Sequence, residues 1–96
     1  MTLLDLLGRR WALRVLWELR ADVLTFRELQ ARCEGMSSSV LNQRLGELRA
    51  AGIVVLRERG GYQLTHEGQA LLAALTPLQD WAARWSERGS YGSRTS

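Results

Sequence analysis

Apolar residues recur at helical spacing along the N-terminal part of the chain. Residues 3–7 form one short apolar turn, which Gly8 interrupts, and a second helix is predicted over about Arg10 to Arg20. The polar residues of this second helix form one narrow stripe, which consists of Arg10, Arg14 and Glu18. Apolar side chains therefore cover most of its circumference. Either this helix is central to the core or a second subunit buries the remaining surface.

Two further helices follow, joined by a tight turn. Thr25 and Glu28 form a capping box, so a third helix is predicted to start after Thr25. Gly35 lies in the turn that follows it, and Ser37 is a natural N-cap for a fourth helix. Gly52 ends the fourth helix, because glycine enters the left-handed C-terminal turn without strain. A helix, a short turn containing glycine and a second helix form the helix-turn-helix arrangement.

The fourth helix has two contrasting faces. Its inner face carries leucines at helical spacing, which are Leu41, Leu45 and Leu48. The opposite face carries Ser39, Asn42, Gln43 and Gly46, and its flanks carry Arg44 and Arg49. An ordinary solvated face has several charged residues, whereas hydroxyls and amides suit base edges and phosphates in a DNA major groove. The stretch alone leaves open the alternative that this is a polar surface of an all-α domain.

A β-hairpin is predicted directly after the helix-turn-helix. Residues 53–56 form a strand, residues 57–61 a loop and residues 62–64 the returning strand, while residues 23–24 are suited to a very short additional strand. A hairpin in this position is a wing. The predicted fold class is mainly α with a small β-hairpin, a winged helix-turn-helix domain.

The last helix begins after a Thr65 cap and persists to about Glu87, with a kink predicted at Pro77. One side of it is an apolar stripe with near-heptad spacing, which comprises Leu71, Ala74, Leu75, Leu78, Trp81, Ala82 and Trp85. The final turns extend past the small core, so we expect them to form a dimer contact. Residues 1–88 are thus predicted to be one domain that includes terminal dimerisation helices, and residues 89–96 a disordered tail.

Composition narrows the class of protein. The 96 residues allow one modest core, and 46% hydrophobic content is typical of a globular chain. A single cysteine, Cys33, and a single histidine, His66, exclude a disulfide scaffold and a structural zinc site. All 13 basic residues are arginine, and the net charge of +3 permits a polyanionic partner. No catalytic motif, membrane span or signal peptide is recognised, so we expect a cytoplasmic protein that is not an enzyme and has no cofactor.

Several segments follow one another in a characteristic order and spacing over about residues 6–85. They are Leu7-Gly-Arg-Arg-Trp11, Phe26-Arg-Glu-Leu29, Gly35-Met36-Ser37, Leu41-Asn-Gln-Arg44-Leu45, Leu48-Arg-Ala-Ala-Gly52 and Tyr62-Gln-Leu-Thr65-His-Glu-Gly68, with Trp81 near the end. Together they resemble the winged-helix transcription regulators of the HxlR type, within the broader MarR-like group. The resemblance implies a winged helix-turn-helix fold.

The chain departs from that family pattern at three places. Such regulators usually carry a cysteine in an N-terminal arm ahead of the first helix, and we expect this chain to lack that arm. Cys33 lies instead on the inner face of a helix, where a packed, inert thiol is expected. The wing is short and has no Pro-Pro-Arg segment before Tyr62, and Gly46 stands where the family often has arginine. These departures predict weaker DNA binding or a different operator sequence.

The resemblance implies specific DNA-binding residues. Base edges would be contacted by Ser38, Ser39, Asn42 and Gln43, and phosphates or the groove rim by Ser37, Arg44 and Arg49. The wing would contribute Arg57 and Arg59 near the minor groove. Ser37 is expected to cap the fourth helix whether or not it also contacts a phosphate. Arg44 has an alternative role as an ion-pair partner of Glu47 or Glu34 on the surface. For Arg57 and Arg59 the alternative is a solvated hairpin of mixed charge, which is favoured for Arg57.

The predicted function is a sequence-specific DNA-binding regulator, acting as a homodimeric repressor on a pseudo-palindromic operator in double-stranded DNA. The predicted dimer interface comprises Leu4, Leu7, Trp11, Leu78, Trp81 and Trp85. The alternative is a winged-helix protein-interaction module that does not bind DNA, which the near-neutral charge, the short wing and Gly46 favour. A small aromatic effector bound between tryptophans is compatible with the first interpretation, although packing and dimer burial better explain those residues.

Overall fold

Five helices and a three-stranded sheet make up residues 2–88, the part of the protein that the computed structural model describes. The elements in chain order are α1 Leu3–Leu7, α2 Ala12–Glu18, β1 Leu24–Thr25, α3 Phe26–Arg32, α4 Ser38–Ala50, β2 Val54–Leu56, β3 Gly61–Leu64 and α5 His66–Glu87. The sheet order is β1-β3-β2, with both pairs antiparallel and Leu24 opposite Tyr62. The winged helix-turn-helix fold class is confirmed. The predicted tail at residues 89–96 lies outside the described residues.

Side-chain caps start the three helices for which the sequence predicts them. At α3 the Thr25 hydroxyl accepts from the Glu28 amide at 3.1 Å, and the Glu28 carboxylate accepts from the Thr25 amide at 2.9 Å. Ser37 caps α4 by accepting from the Val40 amide at 3.2 Å. Thr65 caps α5 in the same way. Because each cap needs only partners three residues apart, local sequence is sufficient to define these helix starts.

Helix α2 lies at the centre of the core, where it contacts α1, α3, α4 and α5. Its fully buried residues pack with leucines of the helix-turn-helix, and the largest of these side chains are Leu16, Leu19, Leu29, Leu41, Leu45 and Leu48. Two apolar residues of α2 nevertheless stay exposed, Leu13 at 43% and Trp17 at 40%. The helix is therefore central, and one chain still leaves part of its apolar surface uncovered.

The start of α2 differs from the sequence prediction, because the helix begins at Ala12 and not at Arg10. Trp11 precedes it in the left-handed region, with φ of 76° and no side-chain cap. A non-glycine residue in this region costs on the order of 1–2 kcal/mol. The half-buried Trp11 ring packs against the core, and the Arg10 guanidinium lies 5.5 Å from its centroid. These tertiary contacts offset the strain, and periodicity along the chain does not reveal them.

Helix α5 lies very close to the end of the helix-turn-helix. The Thr65 amide donates to the Ile53 carbonyl at 2.9 Å, and the Thr65 hydroxyl donates to the Gly52 carbonyl at 2.6 Å. Gly68 is buried in the first turn of α5, where an added Cβ would lie 2.2 Å from the Ile53 oxygen. Only a residue without a side chain permits this approach, which holds α5 against the sheet.

Two properties of residues 2–88 bear on the class of protein. None of their helices is both long and apolar enough to cross a bilayer. No group of three or more His, Cys, Asp or Glu residues in that part of the chain is placed to hold a metal ion.

Candidate nucleic-acid interface

The outer face of α4 is open to solvent and poor in charge. Its exposed residues are Ser38, Ser39, Asn42, Gln43, Gly46 and Arg49. The side chains of Ser38, Asn42 and Gln43 make no hydrogen bond to any residue in the described range 2–88. From behind, Leu41, Leu45 and Leu48 are each at most 1% exposed and anchor the helix in the core. The helix thus presents unoccupied amide and hydroxyl groups from a rigid support, and a Cβ at Gly46 would meet nothing within 4 Å. We call this surface the α4 outer face.

Four arginines on the neighbouring elements make no ion pair and no side-chain hydrogen bond within the described residues. They are Arg27 on α3, Arg49 on α4, and Arg57 and Arg59 in the β2–β3 loop. Arg14 on α2 and Arg32 at the end of α3 differ, because the Arg14 guanidinium lies 2.8 Å from Glu18 and the Arg32 guanidinium lies 3.5 Å from Asp22. Unpaired guanidinium groups around a charge-poor face are suited to a polyanion such as duplex DNA.

Arg27 is a candidate that the sequence analysis missed. It lies in the first turn of α3, where the helix dipole disfavours a cation, and no acidic side chain in residues 2–88 forms an ion pair with it. The neighbouring Glu28 carboxylate accepts from the Thr25 amide in the capping box. Helical spacing puts it on the same flank of α3 as Gln30, whose amide donates to the Met36 carbonyl directly before α4. In helix-turn-helix proteins the first helix crosses the DNA backbone. In the sequence, an arginine directly after the predicted Thr25 cap, where the helix dipole disfavours a cation, was the signal that could have identified it.

Arg44 does not lie where the sequence places a phosphate-binding residue. Its side chain is 11% exposed, its guanidinium is paired with Glu47, and its Nε donates to the Arg10 carbonyl at 3.0 Å. The alternative ion pair with Glu47 is therefore confirmed, although it is partly buried and not fully on the surface. Because the guanidinium is already engaged beneath α4, Arg44 is not available on the α4 outer face.

Ser37 is likewise engaged in a structural contact. Its hydroxyl accepts the Val40 amide and lies 3.4 Å from the Ser39 hydroxyl. Capping, the structural role predicted for Ser37, is thus confirmed. A phosphate contact by Ser37 stays a prediction.

The residues predicted for the dimer interface fall into two groups. Leu4 is 79% exposed and Trp81 is 53% exposed, and Leu78 and Trp85 are also exposed. The Trp81 and Trp85 rings stack with their centroids 6.1 Å apart. Leu7 and Trp11, in contrast, are partly buried against the core of their own chain. The exposed members of the predicted interface therefore lie on α1 and on the far half of α5, whereas Leu7 and Trp11 have a packing role within the monomer.

Two clefts in residues 2–88 bear on the predicted effector pocket. Trp17 borders a shallow cleft with Leu13 and Gln79, and the Arg20 guanidinium lies 3.8 Å from its ring centroid. A larger cleft of about 760 Å³ lies between α1, the end of α4 and the start of α5, and none of its lining residues is a tryptophan. Neither of these two clefts is lined by more than one tryptophan, and a small aromatic effector held between tryptophans stays a prediction.

Cys33 is fully buried at the end of α3. Burial raises the pKa of its thiol by disfavouring the thiolate, the charge of Arg14 opposes this effect and that of Glu18 adds to it. The thiol therefore stays protonated at neutral pH, as expected for an inert cysteine.

We expect an alkylating reagent to modify Cys33 at least on the order of 10³-fold more slowly in the native protein than in guanidinium chloride, because access requires unfolding. Mass spectrometry after timed exposure at pH 7.5 measures both rates. Rapid modification of the native protein would contradict the buried placement.

Comparison with known proteins supports the assignment suggested by this geometry. Residues 6–90 match the HxlR-like helix-turn-helix family. The HTH-type transcriptional regulator YvaP of Bacillus subtilis strain 168 is 34% identical over 87 residues, which cover 84% of this chain and 81% of that protein. Quinone-bound YodB from B. subtilis has a TM-score of 0.78 at 32% identity, covering 83% of this chain and 89% of that chain. A MarR-family transcriptional regulator from Enterococcus faecalis V583 has a TM-score of 0.80 at 30% identity, covering 88% and 83% of the two chains.

These similar proteins are transcriptional regulators and not enzymes. The family match spans nearly the whole described chain and agrees with the motifs and with the winged fold. The chain therefore belongs to the HxlR-like helix-turn-helix family of transcriptional regulators.

Proposed function

We propose that this regulator is a homodimeric repressor that inserts α4 of each subunit into successive major grooves of a pseudo-palindromic operator. The observation that carries the proposal is the α4 outer face, where the side chains of Ser38, Asn42 and Gln43 are exposed and make no hydrogen bond within residues 2–88. An ordinary solvated helix face carries several charged residues, whereas this face carries amides and hydroxyls between unpaired arginines. Duplex DNA supplies complementary partners for both, namely base edges and phosphates.

Base recognition is assigned to the first half of α4. Asn42 and Gln43 each carry an amide that can donate and accept together, which matches the N6 and N7 edge of adenine. Ser38 and Ser39 lie one turn earlier, where short hydroxyl side chains contact bases or phosphates. The open space above Gly46 lets the groove wall approach the helix closely.

Phosphate contacts are assigned to the unpaired arginines around this face. Arg49 lies at the flank of α4, Arg57 and Arg59 lie at the wing tip, and we add Arg27 from the first helix of the helix-turn-helix. Four such contacts per subunit would make binding strongly dependent on salt, because each displaces condensed counterions from the DNA.

The contact with the second subunit is assigned to the exposed apolar surface formed by α1 and the far half of α5. Leu4, Leu78, Trp81 and Trp85 form the centre of this proposed interface, with Leu7 and Trp11 supporting it from the core. Burial of these side chains against their symmetry mates removes apolar surface from water. Repression is the proposed outcome, because a dimer bound over a promoter needs only DNA affinity to exclude polymerase.

Two substitutions separate base recognition from phosphate binding. Gln43→Ala should change the ranking among operator variants, with a loss of about 1–3 kcal/mol at the preferred base pair. Arg59→Ala should weaken binding to all duplexes and lower the slope of log K against log salt by about 0.9 per subunit without changing the ranking. Fluorescence anisotropy with fragments of the upstream DNA at several salt concentrations measures both effects.

Arg20→Ala is the matched control, since it removes one positive charge just after the end of α2, outside the α4 outer face, the wing and the proposed dimer interface. It should leave both the ranking and the salt slope as in the unchanged protein. If the unchanged protein binds no duplex above background at low salt, the proposal is wrong, and a protein-interaction role takes its place.

A further inference from the structure

Arg44 connects α4 to the loop that leads from α1 into α2. Its Nε donates to the Arg10 carbonyl at 3.0 Å, across 34 residues of sequence. The same guanidinium is paired with Glu47 one turn further along α4, and the Glu47 carboxylate lies 3.8 Å from Arg9. Arg9 and Arg10, two adjacent residues of the loop, therefore both contact the face of α4 that carries Arg44 and Glu47.

The geometry of this contact is directional. A guanidinium is planar and donates along fixed directions, so satisfying a carbonyl and a carboxylate together restricts how α4 can rotate against the loop. The accepting carbonyl belongs to the residue before Trp11, whose left-handed backbone directs the chain into α2. A core built for packing alone would use apolar side chains here, because burying charges costs solvation.

The loop between α1 and α2 adjoins the surface that is proposed to contact the second subunit. Residues 3–7 of α1 precede it directly, and Leu3 and Leu4 of that helix are exposed. Any rotation of α4 relative to the loop would thus also be a rotation relative to α1. In a dimer held through α1 and α5, such a rotation changes how far apart and at what angle the two α4 helices lie.

We propose that Arg44 is a positioning residue that, with Glu47 and the Arg10 carbonyl, holds α4 at a defined angle to α1 and so determines which half-site spacing the dimer accepts. Arg44 does this without touching DNA. The inference rests on the proposed function, since it needs a dimer that binds two half-sites. One base pair of added spacing moves a half-site by about 3.4 Å and rotates it by roughly 34°, so a small change in helix angle alters the preference.

Substitution of Glu47 distinguishes a charge effect from a positioning effect, because the two predict opposite changes in DNA affinity. Glu47→Gln removes a negative charge from the DNA-binding domain, so electrostatics alone would tighten DNA binding. If Glu47 instead orients Arg44, the same substitution should weaken binding at the preferred spacing by on the order of tenfold. A merely structural role would lower the thermal midpoint without selecting among spacings.

A second variant protects the test against loss of folding. The double substitution Arg44→Met with Glu47→Leu removes one positive and one negative charge, leaves the net charge unchanged and replaces the buried pair by apolar groups, which proteins commonly tolerate. Its thermal unfolding and its dimer mass confirm the fold before DNA is added.

The experiment measures the affinity of the full chain for duplexes whose half-sites are separated by the preferred spacing and by one base pair more or fewer. The unchanged protein should prefer one spacing by on the order of tenfold, whereas both variants should bind the three duplexes within about threefold of one another, with the salt slope of the double variant unchanged. If both variants keep the same sharp preference, or if Glu47→Gln binds more tightly, the role of Arg44 is overturned while the proposed function stands. If the unchanged protein shows no dependence on spacing, the proposed two-site function fails and the inference with it.

Discussion

Replacing Gly68 with alanine is expected to destabilise the protein by about 3 kcal/mol. The added Cβ would lie 2.2 Å from the Ile53 carbonyl oxygen and 3.2 Å from the Leu64 Cβ. The first obstacle is backbone and cannot rotate away, so α5 must shift from the sheet. That shift would also strain the Thr65 hydrogen bonds to Gly52 and Ile53, which join the same two segments. Urea denaturation measures the effect. At an m-value of about 1 kcal/mol/M, the loss of stability lowers the urea midpoint by about 3 M.

Gly46→Ala is the matched control, because it makes the same chemical change inside α4 where a Cβ meets nothing within 4 Å. It should raise stability by about 0.5–1 kcal/mol, since alanine favours the helix over glycine. Both variants are compared at one protein concentration, because association would shift the midpoint. A Gly68→Ala midpoint equal to that of the unchanged protein would mean that α5 does not approach Ile53 as closely as described.

Replacing Trp81 with glutamate is expected to convert the protein to a monomer and to weaken operator binding by on the order of a hundredfold or more. Trp81 is exposed in the single chain and stacks on Trp85, so its loss has little cost for the monomer fold. In a dimer the new carboxylate would be buried between apolar surfaces without a partner, which is strongly unfavourable. Each monomer would then hold one half-site and lose the gain from simultaneous binding.

Ala73→Glu is the control for the added charge, since helical spacing places Ala73 on the side of α5 away from the apolar stripe. It should leave the mass and the operator affinity unchanged. Light scattering after size-exclusion chromatography measures the mass, and anisotropy with the operator measures the affinity. A Trp81→Glu protein that remains dimeric, or an unchanged protein that is monomeric, would remove this surface from the proposed interface.

Local sequence determined the helix starts and the face that α4 presents. Thr25, Ser37 and Thr65 each accept an amide from three residues ahead, and the inner leucines of α4 recur within single turns. Donor, acceptor and spacing all lie within one helical turn in these cases, so the pattern contains the whole interaction. The winged order of elements and the amide-bearing α4 outer face followed from that information and needed no contact between distant segments.

Tertiary structure alone decided the role of Arg44, the left-handed Trp11 and the contact at Gly68. The Arg10 carbonyl that accepts from Arg44 lies 34 residues away, the Trp11 strain is offset by core packing, and the carbonyl beside Gly68 belongs to the residue before β2. Sequence spacing carries no information about which distant groups meet once the core closes. An arginine at the flank of a helix therefore looks the same whether it faces a phosphate or a backbone carbonyl, and only the packed structure distinguishes the two.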